Sequence, residues 1–78
     1  TALLNAVGKL EAIAGDFEAA ERDFIAASSM AGDAPSRAEA RFNAFRAALE
    51  RRDDEAAFAH FLAAVGDDEG RFAPFPTG

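Results

Sequence analysis

The sequence predicts an all-α fold built from four antiparallel helices. Apolar residues recur at steps of three and four residues in four separate segments, which is the spacing of one helix face. Short breaks rich in Gly, Asp and Pro separate these segments. Half of the 78 residues are apolar, so the chain can form one domain, but its core must be thin.

The first helix is predicted from Ala2 to Ala14, and the second from Phe17 to Met30. Gly15 can adopt the left-handed conformation that ends a helix, and Asp16 can cap the next one. The spacing predicts that the first helix buries Leu3, Ala6, Val7, Leu10 and Ile13, and that the second buries Phe17, Ala20, Phe24, Ala27 and Ala31.

The third helix is predicted from Pro35 to Arg51, because proline is favoured in the first turn of a helix. Asp53 can cap the fourth, which we expect to end at Gly66. The expected inward residues are Ala38, Phe42, Phe45 and Leu49 in the third helix, and Ala57, Phe58, Phe61, Leu62 and Val65 in the fourth.

Residues 67–78 are predicted to form an extended, Pro-rich tail or linker after a helical module at 1–66. Each proline removes a backbone donor and favours an extended predecessor. Our hypothesis is that Phe72 and Phe75 fold back near Phe58 and Leu62 and cap the last helix.

The two halves of the module contain a repeated pattern. The stretch GDFEAAERDFIAA aligns with RDDEAAFAHFLAA at an offset of 37 positions, which matches Asp16 with Asp53 and Phe24 with Phe61. Ala20 and Ala57 also coincide, as do Ala27 and Ala64. The unit is therefore a helix, a sharp turn and a second helix, at about 1–33 and again at about 35–66.

This unit resembles the tetratricopeptide repeat (TPR), a helix-turn-helix of about 34 residues. The first half matches that pattern at Leu4, Val7, Gly8, Gly15, Asp16, Phe17, Ala20, Phe24 and Ala27. Glu11 departs from it by replacing the usual aromatic residue. In the second half Asn43, Asp53, Ala57, Phe61 and Ala64 fit, whereas Arg41, Ala44 and Phe45 do not.

The resemblance implies a concave groove lined by the first helix of each unit. The positions that would face it are Asn5, Lys9, Phe42, Asn43 and Arg46. Carboxylate-binding members of the family use Lys and Asn at the places of Asn5 and Lys9, in swapped order, and Asn at the place of Asn43. These five residues are the predicted peptide-binding site, although the Lys and Arg of a third repeat are missing.

A second resemblance concerns the context of the module. The stretch RFAPFP, which follows an Ala-rich helical repeat with AALERRD, resembles the junction before the catalytic domain of certain bacterial serine/threonine protein kinases. The chain itself contains no kinase motif. The resemblance implies an accessory TPR region beside a kinase.

Composition argues against several other functions. The net charge of −6 repels nucleic acid and anionic membranes, and the absence of cysteine excludes disulfides and thiolate zinc sites. No apolar run is long enough to span a membrane, so we expect a cytoplasmic setting. His60 is expected to be a packing residue, because no Asp or Cys lies at a suitable spacing. We predict no catalytic residue, metal or cofactor.

The sequence thus favours a non-catalytic scaffolding module that binds a protein or peptide partner. Two alternatives remain open: a helical domain that forms a homodimer, and a module that senses a small ligand.

Overall fold

The computed structural model describes residues 2–67, which form four α-helices and no strand. The helices are α1 (Ala2–Ile13), α2 (Phe17–Met30), α3 (Ala34–Glu50) and α4 (Asp54–Asp67). The predicted all-helical class and the number of helices are confirmed, with bounds that differ by one residue at most. The predicted tail beyond residue 67, with Phe72 and Phe75, lies outside the described residues. Each helix packs mainly against the next one along the chain.

The turn between α1 and α2 recurs between α3 and α4. Three backbone hydrogen bonds of the first turn are repeated 37 positions later, with N···O distances of 2.9 to 3.1 Å: from Ala14 to Leu10, Gly15 to Ala12 and Asp16 to Glu11, and from Arg51 to Ala47, Arg52 to Leu49 and Asp53 to Ala48. Each turn ends on an aspartate cap: Asp16 accepts from the Ala19 N–H at 3.3 Å and Asp53 from the Ala56 N–H at 3.1 Å. The repeat seen in the sequence is therefore also a repeat of local backbone structure.

The middle turn, between α2 and α3, is built differently. The Asp33 side chain caps α3 by accepting the Ser36 N–H at 2.8 Å, and Pro35 lies in the first turn of that helix. This hydrogen bond lowers the pKa of Asp33, because it stabilises the ionised carboxylate.

One position in the repeated turn is strained. Gly15 has φ 89°, and its equivalent Arg52 has φ 62°. A residue with a Cβ atom in the left-handed region costs about 1 kcal/mol, whereas glycine adopts it readily. The two turns therefore have the same shape but different intrinsic strain.

Arg52→Gly is expected to raise the free energy of unfolding by about 0.5–1 kcal/mol, since relief of strain outweighs the greater freedom of glycine in the unfolded chain. Gly15→Ala should lower it by about 1 kcal/mol for the same reason in reverse. Urea unfolding followed by circular dichroism measures both changes. A loss of stability in Arg52→Gly would contradict the expectation.

The core consists almost entirely of alanine. The buried apolar residues of the described chain are Phe24 and ten alanines: Ala19, Ala20, Ala27, Ala38, Ala40, Ala44, Ala47, Ala48, Ala57 and Ala64. Small side chains let helix axes approach closely. Ala20 and Ala57, the matched small positions of the repeat, are both buried as predicted.

Larger aromatic residues border this core. The Phe45 ring lies 5.3 Å from the ring centroids of Phe42 and Phe61, so it joins α3 to α4. All three are half-buried rather than fully enclosed. Their separations and tilted planes suit favourable aromatic contact.

Several residues predicted to face inward are exposed instead. In α1 these are Leu3, Ala6, Val7, Leu10 and Ile13, and in the other helices they are Leu49, Phe58 and Leu62. The prediction placed the inward face of α1 on its periodic apolar residues, but the face that packs against α2 contains Gly8, which is buried against the Phe24 ring. Because the ring occupies this space, Leu3, Leu10 and Ile13 lie on the exposed side of α1 instead.

Candidate functional site

An open cavity of about 540 Å³ lies between the first three helices, and we call it the groove. Its lining residues are Lys9, Ala12 and Ile13 from α1, Phe17 and Phe24 from α2, and Asn43, Arg46, Ala47 and Glu50 from α3. The lining combines an apolar floor with a few polar groups, as is typical of ligand-binding cavities.

Three of the five predicted site residues line this groove. Lys9, Asn43 and Arg46 contribute to its wall from two different helices. Asn5 lies outside the lining but is linked to it, because the Asn43 Nδ2 group donates a hydrogen bond to Asn5 Oδ1 at 3.2 Å. This bond joins α1 to α3 and orients both amides.

Phe42 is separate from the other four. It does not line the groove, and its ring packs against Phe45. The structure therefore brings together an amide pair and two cations, and places the predicted aromatic member in the contact between helices.

The groove carries a local positive charge in an acidic protein. Lys9 and Arg46 are exposed, and neither forms an ion pair within the described part of the chain. Glu50, at the end of α3, is the one carboxylate in the lining. A chain of net charge −6 thus presents two cations and one anion at this groove. This arrangement favours an anionic ligand with an apolar portion.

A second cluster of ionisable groups joins α2 to the second half of the chain. The buried Glu21 carboxylate accepts a hydrogen bond from Arg51 Nε at 2.8 Å, and its other oxygen lies 2.7 Å from His60 Nε2. Arg51 also contacts Asp53 at 3.3 Å. The hydrogen bond to Glu21 raises the pKa of Arg51 above its usual value.

This cluster gives His60 a partner that the spacing of Asp and Cys did not reveal. Glu21 reaches it from 39 positions away, and His60 is half-buried. The available signal was that Glu21 lies beside Ala20 and Phe24 on the predicted inward face of α2, where an unpaired carboxylate would be costly. The carboxylate instead connects the two halves of the molecule.

A further carboxyl group, Glu11, is half-buried on the inward face of α1. The neighbouring Asp23 carboxyl raises the pKa of Glu11, because a proton is needed for the two carboxyls to hydrogen-bond, and burial and the negative charge of Asp23 add to this effect. This is the position at which the TPR pattern has an aromatic residue.

We compared the chain with known proteins. No family model, curated protein or solved structure matches it.

The remaining candidate chemistry is limited within residues 2–67. No group of three or more His, Cys, Asp or Glu side chains in that range could hold a metal ion. Ser28 and Ser29 both donate to the Ile25 carbonyl, at 2.6 and 3.3 Å, so both hydroxyls form hydrogen bonds within their own helix. None of the described helices is long and apolar enough to cross a membrane.

Proposed function

We propose that this chain is a TPR-like module that binds an acidic peptide segment in the groove. The observation that carries the proposal is the presence of Lys9, Arg46 and Asn43 in one cavity with an apolar floor. These two cations form no ion pair within residues 2–67, so they can contact a carboxylate, while Phe17 and Ile13 can contact an apolar side chain next to it. The module then acts by binding and has no reaction of its own.

The packing of the helices supports the TPR-like part of the proposal. Consecutive helices pack against one another, and the turn within each half has the same hydrogen bonds and aspartate cap. A small residue faces a large one where α1 meets α2, at Gly8 and Phe24. Antiparallel pairs that stack through such contacts are the unit of helical-repeat proteins.

A role beside a kinase domain is a further part of the proposal. It is supported by the likeness of RFAPFP and AALERRD to the junction in bacterial serine/threonine kinases. In that setting the groove would recruit a substrate or regulator to the neighbouring catalytic domain. The cytoplasmic setting stays a prediction.

Peptide binding can be tested by titrating a labelled acidic peptide and measuring its fluorescence anisotropy. We expect Lys9→Ala and Arg46→Ala each to weaken binding about tenfold, since each removes a charge-assisted contact. Glu50→Gln should strengthen binding, because it removes the carboxylate from the groove. A peptide with an amidated C-terminus shows whether the terminal carboxylate is part of the ligand.

Arg22→Ala is the matched control, because Arg22 is an exposed arginine of α2 outside the groove. It changes the net charge as Arg46→Ala does, so it should leave the affinity nearly unchanged. Equal weakening by Arg22→Ala and Arg46→Ala would indicate unspecific attraction and would overturn the proposal. Unchanged affinity in both Lys9→Ala and Arg46→Ala would overturn it as well.

A further inference from the structure

The outward face of α1 carries an apolar stripe formed by Leu3, Val7 and Leu10. Leu3 is 76% exposed and Leu10 is 66% exposed, so two large apolar side chains of one helix face meet solvent together. Within residues 2–67 no helix covers this stripe, because the side of α1 that faces the rest of the molecule carries Gly8 and Ala12.

The spacing of the stripe suits another helix. Leu3, Val7 and Leu10 follow one another at steps of four and three residues, which is the seam of a two-helix contact. Ala6 lies on the same exposed face and is small enough to let a second helix approach.

Charge indicates which partner can cover the stripe. The net charge of the chain is −6, so two copies repel each other over most of their surface. Helix α1 is an exception, because its charged residues, Lys9 and Glu11, balance. The other exposed apolar pair, Phe58 and Leu62, lies on α4, which has acidic residues in its first turn. Two copies of this chain can therefore meet through α1 at little electrostatic cost.

We propose that the stripe is the interface of a homodimer, in which α1 of one copy packs against α1 of a second copy. The same patch serves both partners, as twofold symmetry requires. A helix of this length spans about 18 Å, so the interface belongs to the class of small, weak interfaces. The monomer and the dimer should therefore both be populated at micromolar concentrations. Self-association through α1 is a second property of this chain, and it does not depend on peptide binding in the groove.

Sedimentation equilibrium over a wide concentration range measures the dimer directly. The average mass should rise from 8.2 kDa towards twice that value. Leu10→Glu should raise the dissociation constant at least about tenfold, because the dimer would bury a charge on each side of the interface. Leu62→Glu makes the same substitution at a leucine of α4 that is 54% exposed, and it should dimerise as the unaltered chain does.

Single-cysteine variants give a second readout that does not require a destabilising charge. The chain has no cysteine, so Ala6→Cys can only link to a second copy. Residues near the twofold axis meet their own counterparts, and we expect Ala6→Cys to form a disulfide dimer at least about tenfold faster than Ala59→Cys, an exposed alanine of α4.

Three results would overturn the proposal. They are a constant mass of one copy at all concentrations, loss of the dimer in Leu62→Glu but not in Leu10→Glu, and equal rates of disulfide formation in the two cysteine variants. Circular dichroism confirms that each variant keeps its helices, so loss of dimerisation can be distinguished from unfolding.

Discussion

Replacement of Phe24 by alanine is expected to lower the free energy of unfolding by about 3–5 kcal/mol, the usual cost of deleting a large buried aromatic side chain. Phe24 is 3% exposed, and the other buried apolar residues of the described chain are alanines. A module of this size has a total stability of roughly 3–5 kcal/mol. The variant should therefore be largely unfolded at room temperature, as measured by circular dichroism.

Phe58→Ala is the matched control for this substitution. It deletes the same atoms from a phenylalanine that is 63% exposed, so its unfolding midpoint should change little, by about 0.5 kcal/mol or less. If both variants lost the same stability, the central role of Phe24 in the core would be wrong.

The helix ends could be predicted because the interactions that set them are local. Asp16, Asp33 and Asp53 each accept a backbone N–H from three residues ahead. Such caps depend on a few neighbouring residues, and those are visible in the sequence. The left-handed residue after α1 follows from Gly15 in the same way, whereas Arg52 carries no such local signal.

The buried face of a helix depends on the neighbouring helices, and apolar periodicity alone misassigned it in α1. The periodicity of Leu3, Val7 and Leu10 is real, but these residues form the outer face. Gly8 and Phe24 meet across two helices, so only the packed structure reveals that this side of α1 must be small.

The candidate site contains some contacts that the sequence predicts and others that depend on the packing of distant residues. Lys9, Asn43 and Arg46 could be placed together because the resemblance to the TPR implies a groove lined by the first helix of each unit. Contacts between Glu21, Arg51 and His60 join residues that are 30 and 39 positions apart, and no repeat pattern or local motif predicts them. The cluster connects the two halves, and the groove lies beside the contact between α1 and α3.

Gly8→Ala is expected to destabilise the protein by about 2–3 kcal/mol, although the same change in an open helix stabilises by about 1 kcal/mol. An added Cβ atom would lie 2.6 Å from Cε1 and 2.8 Å from Cδ1 of Phe24. The ring is rigid and buried, so it cannot move aside without separating α1 from α2. Urea unfolding measures the loss, and Gly66→Ala is the control, since nothing lies within 4 Å of the atom added there.

A double-mutant cycle with Phe24→Leu shows whether the loss comes from this contact. Leucine removes the ring atoms nearest to Gly8 and still fills part of the core, so Gly8→Ala should cost much less in that background than in the unaltered chain. The difference is the coupling between the two sites, which we expect to be about 2 kcal/mol. Additive losses would mean that Gly8 is needed for another reason, and the close contact between α1 and α2 would then not explain the exposed face of α1.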